Sequence, residues 1–220
     1  MSIAGNGLRP DLPVWGFFGR ILLAGIGNAL IVPAPWTATI LYRFLAEHAS
    51  LPDGRRLVFT GRPGDIWPVL VGIAALPWLH AAAERAGFPR EIGVLWMIAT
   101  WALSFAVLKW LWVHVTTDDG ALRLAFRGGF WPYLGWHLLL LVSFVTIIGW
   151  AWVVKGLARW ILGNVAGTAR FEFAASGLAI LWRTLVLVLV CVLIIPIPWM
   201  LRWYSAWIIS QVTVEPPAAA

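Results

Sequence analysis

The sequence predicts an all-α integral membrane protein, made of repeated transmembrane helix hairpins with short surface β-strands between them. Three observations predict this: apolar stretches that recur from end to end, short segments of period-two alternation between them, and a spacing of cation, aromatic and polar residue that returns along the chain. Of the 220 residues 61% are hydrophobic and 12% charged, with a mean hydropathy of +0.83. A water-soluble domain carries about 25% charged residues, so water is not the main solvent of this chain. With no polar block large enough to fold separately, a single membrane domain is expected over residues 15–213. A flexible N-terminus (1–14) precedes it and a disordered tail (214–220) follows.

The apolar stretches cover residues 15–32, 35–49, 65–83, 91–115, 130–148, 150–165, 177–195 and 198–212. About 20 residues carry a helix across the hydrocarbon, so four or five of these span and the shorter ones need tilt or thinning. No small-residue cleavage site closes the first stretch, which is therefore read as a retained helix. Many of the 17 tryptophans fall at stretch ends, among them Trp15, Trp36, Trp67, Trp131, Trp150 and Trp199. An amphipathic ring gains most there, at headgroup level.

Residues 56–60 (RLVFT), 122–127 (LRLAFR) and 169–173 (ARFEF) alternate apolar with polar and are bounded by Gly and Asp, which argues for short strands. Unpaired backbone is not tolerated in lipid, so these strands belong at the membrane surface.

The spacing is the most informative feature. Seven residues after Trp36, Ala102, Trp152 and Trp199 come Arg43, Lys109, Arg159 and Ala206, followed by Phe44, Trp110, Trp160 and Trp207. Twelve residues after the same origins come His48, His114, Asn164 and Gln211. Four hairpin-like repeats follow, at about 15–49, 65–115, 130–165 and 177–213, the second and third opening on the pairs Trp67-Pro68 and Trp131-Pro132. Their turns fall at Pro33-Ala34-Pro35, at the polar ERAGFPRE segment, at Gly149 and at Pro196-Ile197-Pro198, where proline favours a bend. Strands and termini then share one face, which holds Arg9, Arg55, Arg56, Arg62, Arg123, Arg127 and Arg170 against Arg85 and Arg90 opposite. The positive-inside rule places that face in the cytoplasm.

Segments such as VPAPWTATILYRFLAEHASLPDGRRLVFTGRPGDIW and IIGWAWVVKGLARWILGNVAGTARFEFAASGLAILWR resemble the YjgN-type family of bacterial membrane proteins of unknown function. The likeness runs from about Gly25 to Glu215. It rests on a Gly- or Pro-Trp break, a basic and aromatic helix, an Asn-containing end and an F-x-F or F-T-G strand. It implies a multi-pass repeat protein of a bacterial inner membrane and brings no catalytic residues. The chain departs from the pattern where single Arg or Lys residues replace the basic clusters after Pro-Trp, and where Ala206 replaces the last cation.

Arg43, Lys109, Arg159 and Arg202 lie within or near the ends of apolar helices, where a charge is costly and invites a functional reading. Snorkelling to the nearer surface answers that cost, so anchoring outweighs chemistry. His48 and His114 occupy equivalent positions, as a shared metal, haem or proton relay would require. Asn164 and Gln211 at the same offset do not titrate, and capping of helix ends explains all four. His80 and His137 are single histidines on apolar stretches, and Cys191 is a lone thiol in another. Asp65 stands where an acid favours a helix N-terminus. Arg183, with Glu172 or a carbonyl as possible partner, is the most deeply placed cation and the foremost binding candidate.

No Ser-His-Asp order, HExxH, Walker loop or dinucleotide fingerprint occurs, so no enzyme and no cofactor is expected. The net charge of +6 fits anionic lipid and topology rather than nucleic acid, because the basic residues lie at membrane boundaries. The expected role is that of a structural or accessory protein binding membrane lipids or a larger membrane-protein complex. A small-solute transporter or channel built from internal repeats is the alternative, and a redox protein using His48 and His114 is the least favoured.

Overall fold

In the computed structural model, which describes residues 7–215, the chain passes four times through one order of elements: strand, helix, helix, strand. The first unit comprises β1 (Arg9–Pro10), α1 (Val14–Ala29), α2 (Ala34–Glu47) and β2 (Ala49–Ser50). The second comprises β3 (Leu57–Phe59), α3 (Pro63–Arg85), α4 (Ile92–His114) and β4 (Val115–Thr117). The third comprises β5 (Leu124–Phe126), α5 (Phe130–Ser143), α6 (Trp150–Gly163) and β6 (Val165–Gly167), and the fourth β7 (Arg170–Phe173), α7 (Gly177–Cys191), α8 (Ile197–Ser210) and β8 (Val212–Glu215).

Each hairpin is closed at its open end by its own antiparallel ribbon, with Arg9 opposite Ser50, Leu57 opposite Thr117, Leu124 opposite Gly167 and Arg170 opposite Glu215. The expected alternation is present. Leu57 and Phe59, Leu124 and Phe126, and Phe171 and Phe173 are buried, while Ala125, Arg170 and Glu172 between or beside them face out. The returning strands β2, β4, β6 and β8 escape a reading by periodicity because each begins directly where a helix ends. In each unit a backbone N–H on the outgoing side (Asp11, Thr60, Arg127, Ala174) donates at 2.8–2.9 Å to the carbonyl of His48, His114, Asn164 or Gln211. Two residues beyond each donor stands the N-cap of the first helix (Pro13, Arg62, Gly129, Ser176), and four residues beyond the cap lies a buried side chain: Phe17, Ile66, Tyr133 and Ile180.

The core sits at this ribbon end, where the strand phenylalanines pack against Trp110, Phe105 and Tyr133. Glycine is required there at two points: a Cβ on Gly61 would stand 2.5 Å from the Phe59 ring and 2.6 Å from Trp110, and one on Gly128 2.5 Å from Phe126 and 3.0 Å from Trp160. Successive helices pack side by side, and α8 returns to pack on α1 and β1, so the eight helices close a ring. Trp15 meets Trp199 edge to face at 5.3 Å across that closure, and Leu8 N–H donates to Val212 O at 2.9 Å.

Several expectations are corrected here. Among the described residues only α3 and α4, of 23 residues each, are long and apolar enough to cross a membrane, against an expectation of four or five such helices. The others have 14–16 residues: the stretches of α1, α5 and α7 bend before they end, and those of α2, α6 and α8 are themselves short. The bends share one device: Ile31, Ile147 and Ile194 stand at φ 65, 62 and 61° at the centre of γ-turns in which Val32, Ile148 and Ile195 N–H donate to Leu30, Thr146 and Leu193 O, a strained conformation that costs about 1–3 kcal/mol. The α3–α4 turn instead uses Gly87 at φ 78° among polar neighbours. The N-terminus is structured from Gly7, which bridges to Thr213, and β8 runs into the expected tail as far as Glu215. Residues 1–6 and 216–220 lie outside the described part. The two Trp-Pro pairs are not equivalent: Trp67 lies five residues past its N-cap, beyond a kink at Ile66, and Trp131 only two.

Candidate functional site

The polar residues twelve positions after each origin end their helices, and the aromatic residue one turn earlier supplies the carbonyl they hold. His48 Nδ1 lies 2.9 Å from Phe44 O and His114 Nδ1 2.8 Å from Trp110 O, while Asn164 Nδ2 donates to Trp160 O at 2.7 Å. A carbonyl only accepts, so both histidines carry their proton on Nδ1. Gln211 does the same work with its backbone, its N–H donating to Trp207 O at 3.2 Å. The spacing of aromatic and polar residue is thus a C-terminal lock joining helix to ribbon.

His114 has a second partner that its sequence position hides: its Nε2 lies 3.7 Å from Asp65 Oδ2. The same carboxylate accepts from Arg62 N–H at 2.8 Å, which fixes the start of α3 as expected of an acid there. Among the described residues, no three His, Cys, Asp or Glu side chains converge as a metal site would require. His48 and His114 are spent on separate helix ends.

The cations divide by what they touch. Arg43 is exposed, and Lys109 lies 5.1 Å over the Phe105 ring. Arg159 Nε donates to Phe173 O at 3.2 Å, and Arg202 Nε donates to Leu12 O across the ring closure. Arg183 makes no ion pair with Glu172. It lies 4.3 Å over both Trp182 and Trp207 and 5.9 Å from Trp203, with a buried Nε that has no hydrogen-bond partner among the described residues. A guanidinium between indole faces keeps electrostatic attraction while shedding water. Arg20, which the sequence reading passed over, is its counterpart: each stands seven residues past an N-cap, and Arg20 lies 4.0 Å over Phe44, the aromatic equivalent to Trp207. Counting from the caps would have found it.

Two open notches lie at the ribbon end. One, of about 870 Å3, sits between units three and four and is lined by Arg127, Arg159, Gly163, Arg170 and Glu172. The other, of about 490 Å3, sits between units one and two and is lined by Arg9, Asp11, Glu47, Arg56 and Asp118. Comparison with known proteins adds no relative: no family model, no curated protein and no solved structure matches the chain.

Proposed function

We propose that the chain is an integral protein of a bacterial inner membrane that performs no catalysis and serves as a structural or accessory component, binding lipid or a larger membrane-protein complex. The exposed aliphatic surface carries this reading. Val145, Ile147 and Ile195 are 80–83% exposed, and Leu139, Val142, Leu189 and Ile194 add to the same surface. A water-soluble monomer rarely leaves so many large apolar side chains this exposed. In α3 and α4 only 17% and 6% of the apolar window is buried, whereas the core helix of a soluble protein is mostly buried.

Length then separates the hairpins. At 1.5 Å per residue the 23-residue helices reach about 34 Å and the 14–16-residue helices about 21–24 Å, against about 30 Å of hydrocarbon. The second hairpin crosses and delivers Glu84, Arg85, Arg90 and Glu91 to the far surface. The other three stop inside, where tight turns satisfy the bend, such as Ile148 N–H to Thr146 O at 2.7 Å. Arg9, Arg55, Arg56, Arg123, Arg127 and Arg170 at the ribbon end outnumber Arg85 and Arg90, so ribbons and termini are cytoplasmic. The four like units support an internal repeat, and the resemblance to the YjgN-type family belongs to the same proposal. Alkaline extraction of membranes tests the reading: the protein stays in the pellet, and release into the wash would refute it.

A second reading, a small-solute transporter, draws on a cavity of about 420 Å3 among α1–α4, where Asn28, Tyr42 and Ser104 interrupt an apolar lining. Solute flux into proteoliposomes that fails with Asn28→Leu would favour it.

A further inference from the structure

The two ribbon-end notches occupy the same place in the fold, which makes their chemistry comparable residue by residue. Asp11 and Arg127 are both the donors to the helix-end carbonyl, and Glu47 and Gly163 both immediately precede the capping residue. Arg56 and Arg170 stand at the same distance before those donors of the following unit, and Val58 matches Glu172. Between units one and two the arginines face Asp11, Glu47 and Asp118. Between units three and four Arg127, Arg159 and Arg170 face Glu172 alone.

Geometry adds to charge. Arg159 comes from α6 and is held by Phe173 O, Arg127 leaves the end of β5, and Arg170 opens β7, so three guanidinium groups approach one notch from three elements. Planar guanidinium forks suit phosphate oxygens. Gly163 carries no side chain into the notch where Glu47 lines its counterpart, and a Cβ added there would meet nothing within 4 Å.

We infer that the notch between units three and four binds a phosphate ester anion, and that the source is the headgroup of an anionic phospholipid in the leaflet facing the ribbons. This rests on the membrane reading above, because that reading puts the notch at headgroup depth. The phosphate sits among the three arginines, the acyl chains descend along α6 and α7, and the notch between units one and two takes no such ligand.

The test uses full-length protein purified in neutral detergent, with short-chain phosphatidylglycerol, short-chain phosphatidylcholine or inorganic phosphate added, and native mass spectrometry to count bound molecules. The wild type retains one phosphatidylglycerol in preference to phosphatidylcholine. Arg127→Asp, which installs the residue of unit one, and Gly163→Glu, which adds an acid where a Cβ has room, each weaken retention at least tenfold, while Asp11→Asn leaves it unchanged. Circular dichroism confirms that the variants fold. Equal retention by wild type and both notch variants would overturn the site, and displacement of the lipid by equimolar inorganic phosphate would overturn its lipid source. A protein that keeps its detergent dependence while losing these preferences refutes the notch alone, whereas one soluble without detergent refutes the membrane reading beneath it.

Discussion

At the ribbon end the second and fourth hairpins are built alike. Each has a buried strand phenylalanine, Phe59 or Phe173, a buried Ile66 or Ile180 four residues past the N-cap, and the same backbone bond closing the ribbon. At the opposite end they part. The second runs 23 residues to a turn of Glu84, Arg85, Gly87, Arg90 and Glu91, and the fourth stops after 15 at Leu193, Ile194 and Ile195, which are 67–82% exposed. The difference teaches that the ribbon end carries the shared fold while helix length and turn chemistry set how far each unit reaches. On the proposed membrane reading, charge occurs where the turn would lie beyond the hydrocarbon and is missing where it would lie within.

The largest effect follows from reversing that chemistry. Ile195→Lys places a charge at the short tip and costs about 2.5–3.5 kcal/mol on insertion scales, read as reduced membrane integration, while Phe88→Lys in the second turn changes nothing measurable. Equal behaviour of the two substitutions would break the contrast. Next come the ribbon ends, where likeness is expected: Gly61→Ala and Gly128→Ala each press on an aromatic pair of the core and cost about 1–3 kcal/mol, seen as a lowered melting temperature in detergent. If only one of them destabilises, the two ends are not alike. A smaller gain is expected at the short tips, where Ile147→Gly relieves the strained γ-turn isoleucine and stabilises by about 1 kcal/mol, since that side chain is 80% exposed and loses little packing.

The smallest effect concerns the solvated loop between units two and three. A hydrogen bond from the Thr117 hydroxyl, then one from Ala121 N–H and another from Arg55, lower the Asp119 carboxyl from 3.8 to about 2. A carboxylate whose folded value is depressed contributes stability that is complete above 3.8 and fades as pH falls through about 2. Acid titration of the wild type therefore shows a loss in that window that Asp119→Asn lacks, and identical curves would remove the contribution.

Much of this architecture was legible in the chain. Residues such as Phe59, Phe126 and Phe173 announced strands by alternation, and the aromatic-to-polar spacing announced helix ends, because both depend on local periodicity. The returning strands were hidden, since Ala49, Val115 and Val165 continue apolar helices without a break in pattern. The short reach of α1, α5 and α7 was hidden too, because a turn made of isoleucine has the composition of a helix. At the site, the cations were visible but their partners were not. The Asp65–His114 approach, the Trp207 face over Arg183 and the sharing of one notch by Arg127, Arg159 and Arg170 all join separate elements, which the hairpins and their ribbons bring together.

The central claim is that one hairpin crosses the hydrocarbon and three stop within it. Single cysteines at Phe88, Ile147 and Ile195, in a Cys191→Ser background, test it directly with a membrane-impermeant maleimide on intact cells and on inverted vesicles. Labelling of the Phe88 position from the periplasmic side alone, with the two isoleucine positions protected from both sides until detergent is added, is the predicted result. Labelling of Ile147 or Ile195 as readily as Phe88 would contradict it.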